Sequence, residues 1–285
     1  MLIEYRLFIE KALGRKIIEI NPIGSVCDGR LTCYVTLSDK DKYFVKIYSL
    51  ENNDLYIWEK SVLTQLAGTV VPELITADDK KRVIITKYIK GHTIRLLRAG
   101  MLMDNIIVSF MKFLKVSGKR RLNHGMIVKK YLGVLDEKLP NLNLKAIAKN
   151  IISSLNSQPK CGCHGDFQPR NIMVTSGRVH IVDFESLCLD TPLLDAIRFS
   201  LSPDLKVSYQ SRIKILNKFI KKLESKLNHK YSKSIIDNTC IYWAITCAGF
   251  YLTNHKKETE EDSGKYNYIL RHCLNIILKL TKNYE

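Results

Sequence analysis

No apolar run in the sequence approaches the roughly 18 residues that a membrane span needs. The best candidate, IYWAITCAGFYL at 241–252, has twelve residues and reads as a buried helix. The first residues are expected to make a poor signal peptide. The opening MLIEYRLFIEKALGRK carries Glu4 and Glu10 inside its apolar part, which suits an amphipathic helix instead. There is no internal repeat and no low-complexity linker. Metal-type cysteine spacing is absent too. Cys161 and Cys163 precede His164, but zinc sites space their cysteines by two to four residues rather than one, and no second pair follows. The eight cysteines are scattered through apolar patterns and read as reduced thiols, so a cytoplasmic location is expected. Acidic residues are scarce, with 28 Asp and Glu against 45 Lys and Arg, a net charge of +17.

What is present begins with a core. Of 285 residues, 46% are hydrophobic, enough for one large domain or two lobes and too many for wholesale disorder. The charge is uneven. Residues 1–90 hold 14 basic and 12 acidic side chains, residues 91–160 hold 13 and 3, and residues 201–285 hold 15 and 8. Residues 161–200 reverse the sign, with 3 basic and 5 acidic. An acidic island in a basic chain suits a divalent cation bound with a polyanionic ligand.

The first ninety residues carry strand signals: KIIEI, LTCYVTL, KYFVKIY and RVIITKYI, rich in Val, Ile, Tyr and Thr and separated by short polar runs. Between the third and fourth, NNDLYIWEKSVLTQLAG repeats Leu55, Val62, Leu63 and Leu66 at helical spacing. Asn53 or Asp54 is its expected cap, and Gly68 lies where it should end. Beyond residue 91 helical periods dominate. RIKILNKFIKKLESKL at 212–227 predicts an outer helix with Ile213, Leu216, Ile220, Leu223 and Leu227 inward and its lysines outward.

The island contains HGDFQPRNIMVTSGRVHIVDFE at 164–185. NIMVT and RVHIVDF flank Ser176-Gly177, a two-residue hairpin signal. In that register Thr175 faces Arg178, Ile172 faces Ile181, and Asn171 arrives beside Asp183 at the open end. Asp166 lies five residues before Asn171 and must be near. An amide and a carboxylate suit Mg²⁺, which completes its shell with water and phosphate oxygens. A further carboxylate can orient a hydroxyl and take its proton. Metal plus base is the division of labour of phosphoryl transfer. Two residues elsewhere complete the pattern. Lys46 sits inside the apolar strand YFVKIY, and Glu59 sits on the apolar stripe of the following helix. A buried carboxylate requires a partner, and Lys46 is the natural one.

HGDFQPRN at 164–171 resembles the catalytic loop of the aminoglycoside phosphotransferase and choline kinase-like enzymes. IVDFE at 181–185 resembles their metal-binding strand end, and Asp195 in TPLLDAIRF resembles their further structural Asp. YFVKIY, the helix carrying Glu59, and VIITKYIKGHTI resemble the phosphate lysine, its partner helix and the lobe connector. The resemblance spans about residues 20–200. It implies an α+β, protein-kinase-like two-lobed fold. The smaller β-rich nucleotide-binding lobe would occupy 1–90, and the larger, mostly helical catalytic and acceptor-binding lobe 91–285. It implies a phosphotransferase using ATP and Mg²⁺, with Asp166 as base, Asn171 and Asp183 on the metal, and Lys46 on the phosphates braced by Glu59. Adenine would lie along Thr86, Tyr88 and Ile89. His164 supports the loop, and Glu185 faces either the metal or the acceptor. The phosphate-covering loop should lie in NPIGSVCDGRLTCYV with Gly24 in it, although no Gly-x-Gly-x-x-Gly fingerprint is present.

The expected acceptor is a hydroxyl of a small molecule: a sugar, an aminoglycoside-like compound or an amino alcohol. The basic 91–160 segment pulls towards anionic partners, whereas KKETEEDSG at 256–264 offers carboxylates for a cation. Rival readings are a protein kinase-like enzyme, disfavoured by the missing Asp-Phe-Gly and Ala-Pro-Glu elements, and a non-catalytic kinase-fold protein gripping anions. No stable nucleic-acid partner and no membrane span are expected, only peripheral anionic contact. The sequence carries no signal for an oligomeric state.

Overall fold

A computed structural model of the chain describes residues 2–23, 29–94, 102–116, 121–140, 142–254 and 260–281. Gly24, and the residues 256–259 that open the acidic stretch, lie outside the described residues.

The first part is a sheet flanked by two helices. Helix α1 (Leu2–Leu13) leads into β1 (Ile17–Pro22), β2 (Arg30–Leu37) and β3 (Lys42–Tyr48), then α2 (Asn53–Gln65), β4 (Leu74–Asp78) and β5 (Val83–Lys87). The strands pair antiparallel in the order β1-β2-β3-β5-β4. Alternation along the strands decides what each face meets, because successive side chains point to opposite sides. Leu31, Cys33 and Val35 of β2, Val45 and Ile47 of β3, and Val83 and Ile85 of β5 form one apolar layer that Ile9 of α1 completes. Ile84 and Tyr48 face the other way, into the larger core with Tyr56, Val62 and Leu63 of α2. The helix expected before residue 68 is therefore present. It begins after Asn52 without a side-chain cap and ends at Gln65. Gly68 follows in the left-handed conformation, at φ +71°.

A short strand, β6 (His92–Thr93), opens the second part, which continues with α3 (Met103–Phe113), α4 (His124–Asp136) and α5 (Leu144–Asn156). A strand-rich stretch follows: β7 (Cys161–Cys163), β8 (Ile172–Thr175), β9 (Arg178–Ile181) and β10 (Cys188–Asp190). Helices α6 (Pro192–Leu201), α7 (Tyr209–Leu227), α8 (Lys233–Asn254) and α9 (Glu260–Thr281) complete the chain. Helix α8 holds the IYWAITCAGFYL run, and it is apolar almost all round because other helices surround it. Residues 240–245 are buried without a break. No helix among the described residues is long and apolar enough to cross a membrane.

Helix α7 departs in detail from expectation. Leu216, Ile220 and Leu223 are buried as predicted, but the inward stripe also takes Ile215, Phe219 and Arg212. Ile213 and Leu227 are only partly covered. The Arg212 guanidinium donates to the Leu201, Ser202 and Leu205 carbonyls at 2.7–3.0 Å. A buried arginine is tolerable when backbone acceptors satisfy its donors, and here it ties α7 to the end of α6.

Candidate active site

The hairpin forms in the expected register. Ile172 pairs with Ile181 and Thr175 with Arg178. Ser176 and Gly177 both adopt positive φ, +45° and +79°, as a type I′ turn requires. The Val182 N–H donates to the Asn171 carbonyl at 3.0 Å, which continues the ladder to its open end. Asp183 follows at φ +68°, a costly conformation for a residue with a side chain, and one that concentrates at functional sites.

The loop before β8 is held from beneath. His164 is fully buried. Its Nε2 lies 2.9 Å from the Val182 carbonyl, and its Nδ1 accepts the Asp166 N–H at 3.2 Å. Those partners fix the neutral tautomer with the proton on Nε2. Gly165 has φ +77°, and a Cβ there would come within 1.9 Å of the Ser186 carbonyl oxygen, so only glycine fits. Its N–H points to the Asp195 carboxylate, which also accepts from Arg198 at 2.8 Å. His164 and Asp195 are thus supports beneath the loop.

Asp166 stands above them. Its carboxylate accepts from Asn171 Nδ2 at 2.9 Å, from Arg170 at 3.2 Å and from Gln168. Burial pushes this carboxyl up, but the Arg170 and Arg198 guanidinium groups and the Gln168 amide outweigh it and hold it below the ordinary aspartate value. Asn171 Nδ2 also donates to the Asp166 carbonyl at 2.9 Å. Both amide hydrogens are committed to Asp166, so the amide oxygen is the atom left for a ligand.

Across the cleft, the sheet supplies the cations. Lys46 shares the face of β3 opposite to Val45 and Ile47. Its Nζ lies 2.9 Å from Glu59 Oε1 and 3.5 Å from Asp183 Oδ1. Lys46 and Glu59 are each 5% exposed. A pair so enclosed has little solvent screening, unlike a surface ion pair. Tyr48 also donates to Glu59. Burial, and then the Glu59 charge, keep that hydroxyl well above the ordinary tyrosine value, so it remains a donor.

Lys46, Glu59 and Asp183 line a cavity of about 350 Å³ together with Thr86, Tyr88 and Ile89. The volume suits a small ligand. The Tyr88 N–H is committed to the Lys42 carbonyl at 3.2 Å. A neighbouring cavity of about 550 Å³ meets Asp166, and Tyr131, Trp243, Asp204 and Arg170 are among its walls. Sequence reasoning missed this second cavity, because much of its wall comes from helices whose apolar spacing reads as ordinary core. It also missed a buried chain at the cavity's edge. Tyr242 is 2.9 Å from His124 Nδ1, His124 Nε2 is 3.0 Å from Asp190, and Lys160 reaches the same carboxylate at 3.1 Å. A carboxylate only accepts, so His124 Nε2 is the donor to Asp190.

Glu185 is paired with Arg30 of β2. The site expectations therefore converge on one cleft: Lys46, Glu59 and Asp183 on the smaller cavity, Asp166 on the larger, and Asn171 bonded to Asp166. Among the described residues no three His, Cys, Asp or Glu side chains converge as a metal cage. An amide oxygen and a carboxylate suit Mg²⁺, which takes one or two protein ligands and leaves the rest of its shell to water and phosphate.

Comparison with known proteins agrees with this geometry. The model of the phosphotransferase enzyme family matches residues 125–206, which include the Asp166 loop and Asp183. Choline kinase LicA from Streptococcus pneumoniae superposes with a TM-score of 0.66 at 14% identity, covering 96% of this chain and 100% of that one. An ethanolamine kinase from Plasmodium vivax gives 0.63 at 15% identity, over 98% of this chain and 88% of that one. The ADP-bound aminoglycoside phosphotransferase APH(2'')-Ib gives 0.61 at 16% identity, over 97% and 99%. No curated protein matches by sequence. These likenesses define the class of fold, protein-kinase-like, and the family model covers the part of the chain that holds Asp166, Asn171 and Asp183. Within that class the chain is similar to the choline kinase, ethanolamine kinase and aminoglycoside phosphotransferase structures.

Proposed function

We propose that the protein transfers the γ-phosphate of ATP, with Mg²⁺, to a hydroxyl of a small molecule. One observation carries the reading: a buried lysine–glutamate pair and Asp183 share a cavity that adjoins a second one reached by Asp166. Residues 1–90 act as the nucleotide-binding lobe, with adenine against Thr86, Tyr88 and Ile89. Residues 91–285 supply the catalytic groups and the acceptor cavity.

Lys46 binds the nucleotide phosphates, and Glu59 holds its ammonium in place. Asn171, through its amide oxygen, and Asp183 hold the metal, which when bound neutralises phosphate charge. Asp166 accepts the proton of the acceptor hydroxyl. That oxygen then forms the bond to the γ-phosphorus as the bond to ADP breaks. The family's positioning logic suits a base of low pKa, because the loose transition state of phosphoryl transfer asks for orientation more than deprotonating power. Asp204, Tyr131, Trp243 and Tyr251 are among the residues that line the acceptor cavity. Carboxylate and aromatic faces together favour an amino alcohol or an amino sugar, whose cation both can hold.

The test is thermal melting with and without ATP and Mg²⁺, on the wild type and on Asp183→Ala. A ligand selective for the native state stabilises it by about 2.7 kcal/mol at a hundredfold excess over its Kd. The wild type is expected to show a magnesium-dependent rise in Tm, and Asp183→Ala to lose it. No rise in the wild type would defeat the proposal.

A further inference from the structure

The cleft holds a second cation that the scheme above leaves without a task. Arg30 opens β2 directly after Gly29, whose φ is +70° and whose Cβ would lie 2.6 Å from Ser49 Oγ. The Ser49 N–H donates to the Gly29 carbonyl at 2.8 Å, which pins the strand start. In the β2–β3 register Arg30 opposes Tyr48 and Thr32 opposes Lys46. Residues two apart in a strand share a face, and so do directly opposed residues. Arg30 therefore projects on the same side as Lys46, over the cleft. Its guanidinium rests on Glu185, two residues beyond Asp183. Arg30 lines the nucleotide cavity and Glu185 lines the acceptor cavity, so the pair marks the boundary between the two.

We propose that Arg30 is a phosphate-binding residue that Glu185 holds in reserve, and that nucleotide takes it over and frees Glu185 for the acceptor cavity. The inference rests on the nucleotide reading above. A guanidinium fork fits carboxylate and phosphate with the same geometry, so one anion can replace the other without moving the strand. The exchange is uneven in the right direction. The Arg30 side chain is 20% exposed and needs an anion, whereas Glu185 is 39% exposed and loses little when water replaces its partner. A polyphosphate also carries more charge than the single carboxylate it displaces. Lys46 differs, because its partner Glu59 is enclosed and stays in place. The two cations thus divide the work: Lys46 is permanently braced, and Arg30 is exchangeable. Release of Glu185 adds a carboxylate to the acceptor cavity only after nucleotide has bound, which favours nucleotide first and a cationic acceptor second.

Titration calorimetry on the full chain tests this, with Mg²⁺ and AMP, ADP or a non-hydrolysable ATP analogue. Arg30→Met is expected to weaken the ATP analogue about tenfold, the scale of one charge-assisted contact, with AMP almost unchanged and Arg30→Lys intermediate. Glu185→Gln removes the competing carboxylate and is expected to tighten the ATP analogue. A wild type that binds normally beside an Arg30→Met of equal affinity overturns the inference and leaves the nucleotide reading standing. Weaker binding in Glu185→Gln overturns the reserve role of that carboxylate. A wild type that binds no nucleotide defeats both readings. Should Arg30→Met fail to fold, the opposite shifts expected for Arg30→Lys and Glu185→Gln still decide.

Discussion

Asp166→Asn is expected to lower kcat by about 10²–10⁴-fold, the usual contribution of a positioned general base, while nucleotide affinity stays near that of the wild type. The substitution keeps the shape of the side chain. Its oxygen can still accept from Asn171, which in the native protein donates to Asp166 at 2.9 Å. What it loses is the ability to take a proton, so binding and chemistry should separate. The pH dependence follows from the same surroundings. Burial raises the Asp166 carboxyl, but Arg170 first and Arg198 next bring it below the ordinary value. A lowered folded pKa means the carboxylate is already ionised at neutral pH. The acid limb of kcat/KM should therefore lie below the usual aspartate range, near 3.9, and the profile should be flat from about pH 5 upward. By linkage, the same group adds stability that is present above its unfolded pKa and is lost as pH falls through the folded one. Arg170→Met removes the largest lowering influence and should move the acid limb up. Steady-state kinetics across pH check both variants. A full kcat in Asp166→Asn would remove the base assignment.

The parts of this cleft that the sequence disclosed are those where a local rule was broken in a patterned segment. A lysine within YFVKIY and a glutamate on an apolar helical stripe each conflict with burial unless paired, and they lie 2.9 Å apart. The Ser176-Gly177 turn set a register, and the register carried Asn171 and Asp183 to one end of the hairpin. What escaped had no such conflict to expose it. β4, LITAD, is short and only half covered, so neither periodicity nor an apolar run announces it. Arg212 on α7 reads as one more basic residue of a basic helix, and only the carbonyls gathered at the end of α6 reveal why it is buried. The Lys160–Asp190–His124–Tyr242 chain joins residues up to 118 positions apart. Arg30 was hidden for another reason. It lies at a strand edge, where arginine is commonplace, and its meaning depends on a carboxylate 155 positions further along the chain.

Lys46→Met is expected to destabilise the protein by about 3–5 kcal/mol and to abolish the nucleotide-induced rise in Tm. The stability loss comes from Glu59 rather than from the lysine itself. At 5% exposure Glu59 has no water to replace an ammonium 2.9 Å away, and a buried unpaired carboxylate is costly. This creates a confusion that a single variant cannot resolve, since a weakened fold also weakens ligand binding. The double variant Lys46→Met/Glu59→Gln separates the two. Glutamine is neutral, so no charge is stranded. It also keeps a side-chain oxygen for the Tyr48 hydroxyl, which in the native protein donates to Glu59. Leucine at 59 would leave that hydroxyl unpaired, at a cost of about 1–3 kcal/mol. The double variant should therefore recover most of the lost stability in chemical denaturation and still show no rise in Tm with ATP and Mg²⁺. Recovery of both would mean that the lysine neutralises Glu59 and does nothing for phosphate. Recovery of stability alone would assign Lys46 to the nucleotide, with Glu59 as the group that holds a charged lysine inside an otherwise apolar strand.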